Sequence, residues 1–366
     1  MKTNMTIAIE ALDTLFFRDG KPFSMGDDAW ANGMFPPLPS VLYGALRTAY
    51  MAQKNFNLDE IIEKTKDLRI KQIAYEFENH YYFPMPLDLV NESDILEKLE
   101  KGGKTKFPTF ILPKHSLENP SHLKELESKS FEEVLVLPQE NAPEIEGIDG
   151  GMIEKTQFEQ YLNKTNNVVH DIIKSSNYVK EQPKIGIGRQ NDTRTTEEGK
   201  LYRMNMLRPK DLKIYIEFEG LEGFAQKGLL RLGAENKLAY FKELKRGFIT
   251  IPIANVEQTQ TDFKIYLATP AIFTNGYYPT DIFKNTNIEV ELLTCAVGKY
   301  LNVGGFDMQK REPKPMQKAV PAGSVYYYRL KSGDWQNLLA ELQKTGISET
   351  EQSQKEGFGI AYLAKV

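Results

Sequence analysis

The order of strand and helix signals along this chain predicts an α+β protein built from two ferredoxin-like (RRM-like) domains, with a long, largely helical or irregular insertion in the first. Three observations carry the prediction. At 366 residues the chain exceeds one ordinary core, so two domains are expected. Its opening reads as strand, loop and helix. Past residue 262 the signals run β, possible α, β, β, α, β, which is the split-βαβ pattern. The expected domains are residues 1–255, with the insertion at about 91–180, and residues 256–366.

Each element has a local reason. Residues 6–17 (TIAIEALDTLFF) are rich in Ile, Leu and Phe and read as a buried strand. The following RDGKP supplies turn chemistry. Residues 35–39 (FPPLP) cannot be helical, because each proline lacks an N–H and restricts its predecessor. Ser40 then stands as an N-cap before the amphipathic run 41–53 (VLYGALRTAYMAQ). Residues 68–83 read as one or two strands. Within the insertion, 158–162 and 168–173 read as short helical stretches. Residues 184–188 and 201–207 flank a polar connection and predict a protruding β-hairpin. Residues 212–218 (LKIYIEF) form a strand, 224–230 a short helix and 238–244 another strand. In the second domain, 263–267, 288–297, 325–330 and 357–365 are strands, and 334–343 is a capped helix.

Composition narrows the class. Hydrophobic content of 41% fits a globular protein, and no apolar run reaches the roughly 18 residues of a membrane span. The first ten residues carry no long apolar stretch, so no signal peptide is expected. A single cysteine, Cys295, excludes an internal disulfide and suits a reducing compartment, so a cytoplasmic location is expected. The net charge of −4 conceals an asymmetry. Residues 118–159 hold eleven acids against three lysines, leaving +4 for the remainder. Residues 310–331 hold six cations and one acid, and residues 181–213 eight cations and five acids. Such a chain can present a basic groove on an acidic protein, although most charge runs are solvated faces.

No catalytic constellation stands out. His80, His115, His122 and His170 are scattered, and no metal-ligand spacing, nucleophile elbow or P-loop occurs. Gly186 and Gly188 form a GxG with Asn191 where a third glycine would fall, which argues against a dinucleotide site. Asp19, Asp27 and Asp28 lie in the loop between the first strand and first helix, where two carboxylates could hold a divalent ion. Tyr327 in the run 326–328 is expected to face away from its two neighbours.

Four patches resemble the subunit-three family of the Cmr-type (type III-B) CRISPR effector complex, in the RAMP superfamily. They are 13–23 (DTLFFRDGKPF) with 39–47 (PSVLYGALR); 185–189 (IGIGR) with 193–202 (TRTTEEGKLY); 304–307 (GGFD) through 313–315 (PKP) to 320–325 (VPAGSV); and 357–359 (GFG). There is one departure. Where the family tends to carry Leu-Gly-Gly-Glu, this chain has Leu232, Gly233, Ala234 and Glu235, and Ala234 disfavours a positive φ.

The resemblance implies a non-catalytic subunit that holds the repeat-derived 5′ tag of the crRNA in antiviral defence. Its partners would be the large polymerase/cyclase-like subunit and an adjacent backbone RAMP subunit, with no membrane and no cofactor. Single-stranded RNA is gripped by cations on phosphates, backbone N–H groups near glycine, and aromatics under unstacked bases. On the matching positions the implied RNA-binding residues are Arg18, Lys21, Ser40, Arg47, Arg189, Arg194, Lys200, Arg203, Gly304, Gly305, Lys314, Gly357 and Gly359. The alternative reading is a metal-dependent RAMP ribonuclease using Asp27 and Asp28. RAMP ribonucleases that process crRNA place a His on or near the first helix, and residues 40–53 contain none.

Overall fold

The computed structural model describes residues 4–18, 30–92, 109–112, 114–116, 133–135, 145–165, 168–169, 172–190, 192–193, 195–245, 261–279, 282–283 and 286–366. The protein is mixed α/β, rich in strands and with few helices. Packing divides it into two units. The first comprises Met1–Asn79, Tyr178–Phe248 and Leu301–Lys318; the second comprises His80–Asn177, Ile249–Tyr300 and Ala319–Val366. No helix among the described residues is long and apolar enough to cross a membrane.

The first unit is built on an antiparallel sheet whose strands lie in the order Arg69–Phe77, Leu212–Glu219, Met5–Ala11, Leu238–Glu243 and Lys227–Arg231. Met5–Ala11 and Arg69–Phe77 flank the same strand, each antiparallel to it, so they run parallel to one another. The helix Pro39–Lys54 makes that crossover. Alternation drives its packing: Ile7, Ile9, Ile214, Ile216, Phe218 and Phe241 are buried on one face. Phe224 closes this face against Phe218 and Phe241, and stacks on Tyr50 of the helix.

Two expectations fail here. The segment 224–230 is not helical: Lys227–Arg231 is a strand that extends the sheet, because each of its residues pairs along Leu238–Glu243. Ser40 is not the N-cap. That position belongs to Leu38, which makes no side-chain cap, and Pro39 occupies the first helical turn. Proline's fixed φ starts the helix, and its missing N–H is a donor that needs no partner there.

In the second unit the sheet order is Glu289–Ala296, Val325–Ser332, Asp262–Leu267 and Ala361–Lys365, all antiparallel neighbours. The possible helix after Asp262–Leu267 does not form among the described residues, which make turns and isolated bridges instead. The predicted helix at 334–343 is present as Trp335–Thr345, with the Asp334 carboxylate accepting from the Asn337 N–H at 2.8 Å. A second helix, Glu351–Glu356, precedes Gly357, so the last strand starts at Ala361 rather than at 357. One face of the sheet buries Phe263, Ile265, Tyr326, Tyr328 and Trp335. The other carries Lys264, Tyr266 and Tyr327, so both faces are covered and Tyr327 does oppose its neighbours.

The insertion at 91–180 is also corrected. Its described residues hold short strands, among them Thr109–Ile111, Lys114–Ser116, Glu133–Leu135 and Gly151–Glu154, with one nine-residue helix, Lys155–Asn163. Residues 158–162 are helical as expected. Val168–Val169 and Ile173–Lys174 are strands, because six residues are too few to sustain a helix against ladder pairing.

A buried charge ties the second unit together. Asp88 is fully buried and accepts from the Tyr161 hydroxyl at 2.9 Å, the Tyr327 hydroxyl at 2.7 Å and Lys264 Nζ at 3.1 Å. Lys264 is itself 2% exposed and lies over the Tyr161 and Tyr327 rings. Burial, reinforced by the Asp88 charge, pushes both phenols well above the ordinary tyrosine range.

Candidate nucleic-acid interface

The long hairpin expected from sequence is present as Val179–Arg189 paired with Thr196–Pro209. It reaches further toward both termini than the sequence reading, since its pairing runs from Val179↔Pro209 to Arg189↔Thr196. Gly186 lies opposite Tyr202, and a Cβ there would stand 2.1 Å from the Tyr202 ring. That close approach explains the glycine, and a strand rather than a helix follows, so the GxG cradles no dinucleotide. Ile185 and Ile187 are exposed, as are Gln190, Asp192, Thr193 and Thr195 at the tip.

The loop that carries Arg18 is attached to this hairpin at both ends. Leu15 and Leu207 exchange backbone hydrogen bonds at 2.7 and 2.8 Å. Arg18 is bridged to Gly33, whose N–H donates to the Asn205 carbonyl, and Met34 N–H donates to the Phe17 carbonyl. The strand Trp30–Asn32 runs parallel to the hairpin, with Trp30 opposite Arg203. Phe16, Ala31, Met204 and Met206 form a small buried cluster under this junction, with Tyr202 packed on it. Arg18 is exposed and Arg203 half-buried, so two cations 185 positions apart in sequence share one scaffold. Lys21, Asp19, Asp27 and Asp28 lie outside the described residues, as does Arg194. The backbones of Arg189 and Lys200 stand on the two hairpin strands.

A shorter hairpin in the same unit carries the third patch. Phe306–Asp307 pairs with Glu312–Pro313, and the Lys314 N–H donates to the Gly305 carbonyl at 2.9 Å. Gly305 takes a φ of 151°, open to glycine. The Lys310 and Gln309 N–H groups donate to Asp307 and hold its carboxyl below the usual carboxylate range. Gln309 Nε2 anchors the hairpin to the Leu58 carbonyl at 3.0 Å. Lys310, Arg311, Lys314 and Lys318 are all exposed.

The remaining candidates are placed differently. Ser40 is half-buried in the first helical turn. Arg47 Nε donates to Thr65 Oγ1 at 2.8 Å and its guanidinium lies over the Tyr43 ring, so this cation is engaged inside the first unit. Gly357 and Gly359 belong to the second unit and are buried. Gly357 ends a helix at φ 91° and its carbonyl accepts from Thr269 Oγ1. At Gly359, φ is 77° and a Cβ would stand 2.4 Å from the Ser348 nitrogen. The left-handed helix end accounts for Gly357, and tight packing together with a positive φ for Gly359.

The Leu232 departure resolves in the same terms. Gly233 carries the positive φ and the close approach to the Phe16 carbonyl, while Ala234 N–H donates to that carbonyl at 2.9 Å. Glu235 and Asn236 adopt the left-handed conformation, and Ala234 does not. The turn therefore tolerates the Cβ. Among the described residues no group of His, Cys, Asp or Glu could hold a metal ion.

Sequence reasoning missed two features. The Asp88 cluster is one; its only local trace is Lys264, a lone cation in an apolar strand. The outward face of the first sheet is the other, legible only once Lys227–Arg231 is known to be a strand.

Comparison with solved structures finds a subunit of the type III-B Cmr-beta complex bound to cognate target RNA, 17% identical over 93% of this chain and 94% of the other, with a TM-score of 0.47. The same complex bound to target RNA and AMPPnP matches at 17% identity over 88% and 86%, also with a TM-score of 0.47. A Csm3–Csm4 subcomplex of the type III-A interference complex matches at 14% identity over 90% and 93%, with a TM-score of 0.36. No curated protein matches. The family model described as CRISPR-associated protein (Cas_Cmr3) matches residues 7–366, and the chain belongs to that family.

Proposed function

We propose that this chain is a non-catalytic subunit of a type III-B CRISPR effector that grips the 5′ tag of the crRNA. It also docks the large polymerase/cyclase-like subunit beside an adjacent backbone RAMP subunit, in cytoplasmic antiviral defence. Family membership supports the effector context. The observation that carries the RNA reading is the junction at which the Arg18 loop is stitched at both ends to the Arg203 strand. It sets exposed Arg18 and half-buried Arg203 over a small apolar base, and a second basic hairpin lies in the same unit. Cations on a rigid scaffold suit phosphates, which position an RNA strand without reading its sequence.

Two ferredoxin-like domains remain our reading of the architecture, their core strands divided near residues 255 and 256, while His80–Asn177 packs with the second unit and Leu301–Lys318 with the first. The strand orders support it: in each unit, the third strand of a split βαβ lies between the first two. The test is titration of 5′-tagged RNA against rising salt, with Arg18 and Arg203 replaced. Affinity should fall with salt by roughly 0.7 log units per log unit for each phosphate that the chain neutralises. A response that ignores both salt and the substitutions refutes the reading.

A further inference from the structure

The face of the first sheet opposite the helix Pro39–Lys54 is uncovered toward its edge. On the register, Leu229 pairs with Tyr240, Arg231 with Leu238 and Lys227 with Lys242, and directly opposed residues share a face. Leu12 continues the same face, its N–H donating to the Leu238 carbonyl. All four large apolar side chains are open: Leu12 is 59% exposed, Leu229 55%, Leu238 42% and Tyr240 36%. Contiguous exposed apolar groups of this kind, rimmed by charge, mark interaction sites. The rim is basic, with Lys227, Arg231 and Lys242 exposed and Glu10 the acid on the neighbouring strand opposite Tyr240.

We infer that this face, centred on Leu229 and Tyr240, docks an apolar, acid-rimmed surface of a neighbouring protein subunit. Two features select protein over RNA. Three of the four apolar groups are leucines, which offer no π-face for a base, whereas RNA platforms are built from aromatics. The charges border the apolar centre rather than track a groove, the arrangement of an apolar interface core within a polar rim. Lys227 and Lys242 stand at one end, Arg231 on the edge strand and Glu10 on the inner side. The inference rests on the reading that the chain docks a neighbouring subunit, and adds which surface does so.

The experiment uses the full chain with Leu229→Glu, Tyr240→Glu or Lys227→Glu plus Lys242→Glu, each checked by thermal melting. The milder Leu229→Ser serves if a charge disturbs folding. The probes are the purified large subunit and the purified backbone subunit of the same complex, immobilised separately, and 5′-tagged RNA. We expect about tenfold or greater weakening toward one of the two subunits, as for a central apolar anchor, and unchanged RNA affinity. The double charge reversal should weaken the same subunit most at low salt. If neither subunit binds the wild-type chain, if the variants bind both as the wild type does, or if the loss falls on RNA, the inference is overturned. A chain that fails to bind RNA yet loses its subunit through Leu229→Glu overturns the RNA reading and leaves this one standing.

Discussion

Replacing Asp88 with alanine should unfold the second unit far more readily than its small volume change suggests. The carboxylate is fully buried and takes three hydrogen-bond donors, one of them a cation with 2% exposure. Deleting it strands the Lys264 ammonium in a dry site and orphans the Tyr161 and Tyr327 hydroxyls. Removing one partner of a buried ion pair costs about 3–5 kcal/mol, because the remaining charge is uncompensated. For a unit of roughly 150–250 residues, each kcal/mol shifts Tm by about 2–4 °C, so a drop of roughly 6–20 °C is expected.

The chain has two tryptophans, Trp30 and Trp335. Trp335 packs edge-on against Phe263 within the second unit. In a Trp30→Phe background, urea unfolding followed by fluorescence therefore reports that unit. Lys264→Met should cost a comparable amount. The Asp88→Ala, Lys264→Met double variant removes both charges and should cost less than the two singles added, by about 0.5–3 kcal/mol. Additive losses, or an Asp88→Ala cost below about 1 kcal/mol, would mean that Asp88 and Lys264 are not a coupled buried pair.

Two further outcomes follow from the same unit. Burial alone would raise the Asp262 carboxyl, but hydrogen bonds from Arg329 and Lys114 outweigh it and hold the group below its ordinary value. A depressed carboxylate adds stability above its unfolded pKa and loses it as pH falls through the folded one, so Asp262→Asn should flatten the decline in Tm below about pH 4. An unchanged acid limb would contradict this. Cys295 is packed against the second core, and burial pushes its thiol up to about 11. At pH 8 the native protein should react with iodoacetamide about a hundredfold more slowly than the unfolded chain, since only the thiolate attacks. Equal rates would mean that the thiol is not shielded.

Much of the sheet structure was legible because the runs at 212–218, 263–267 and 325–330 are dense in β-branched and aromatic residues. They fall within Leu212–Glu219, Asp262–Leu267 and Val325–Ser332. The segment 224–230 misled because seven residues with four apolar groups fit either period, and pairing with Leu238–Glu243 decided the matter. Ser40 misled for a local reason: a serine after a proline can sit inside the first turn as well as before it. The Asp88 cluster left almost no trace, since its partners stand 73, 176 and 239 residues away. At the candidate interface, the turn chemistry after the first strand and the hairpin were both visible. Their union was not, because backbone bonds such as Leu15 to Leu207 carry no side-chain signature.

If the Arg18–Arg203 junction holds the 5′ tag, RNA affinity should depend on both the tag and these two cations. The most direct measurement is the salt-dependent titration of the chain, alone and in its assembled complex, with RNA bearing or lacking the tag. Tagged RNA should bind more tightly. The salt slope should become shallower by about 0.7 for each phosphate that Arg18→Ala or Arg203→Ala leaves unneutralised. Equal affinity for tagged and untagged RNA, with slopes that neither substitution moves, would mean that the junction does not hold the tag.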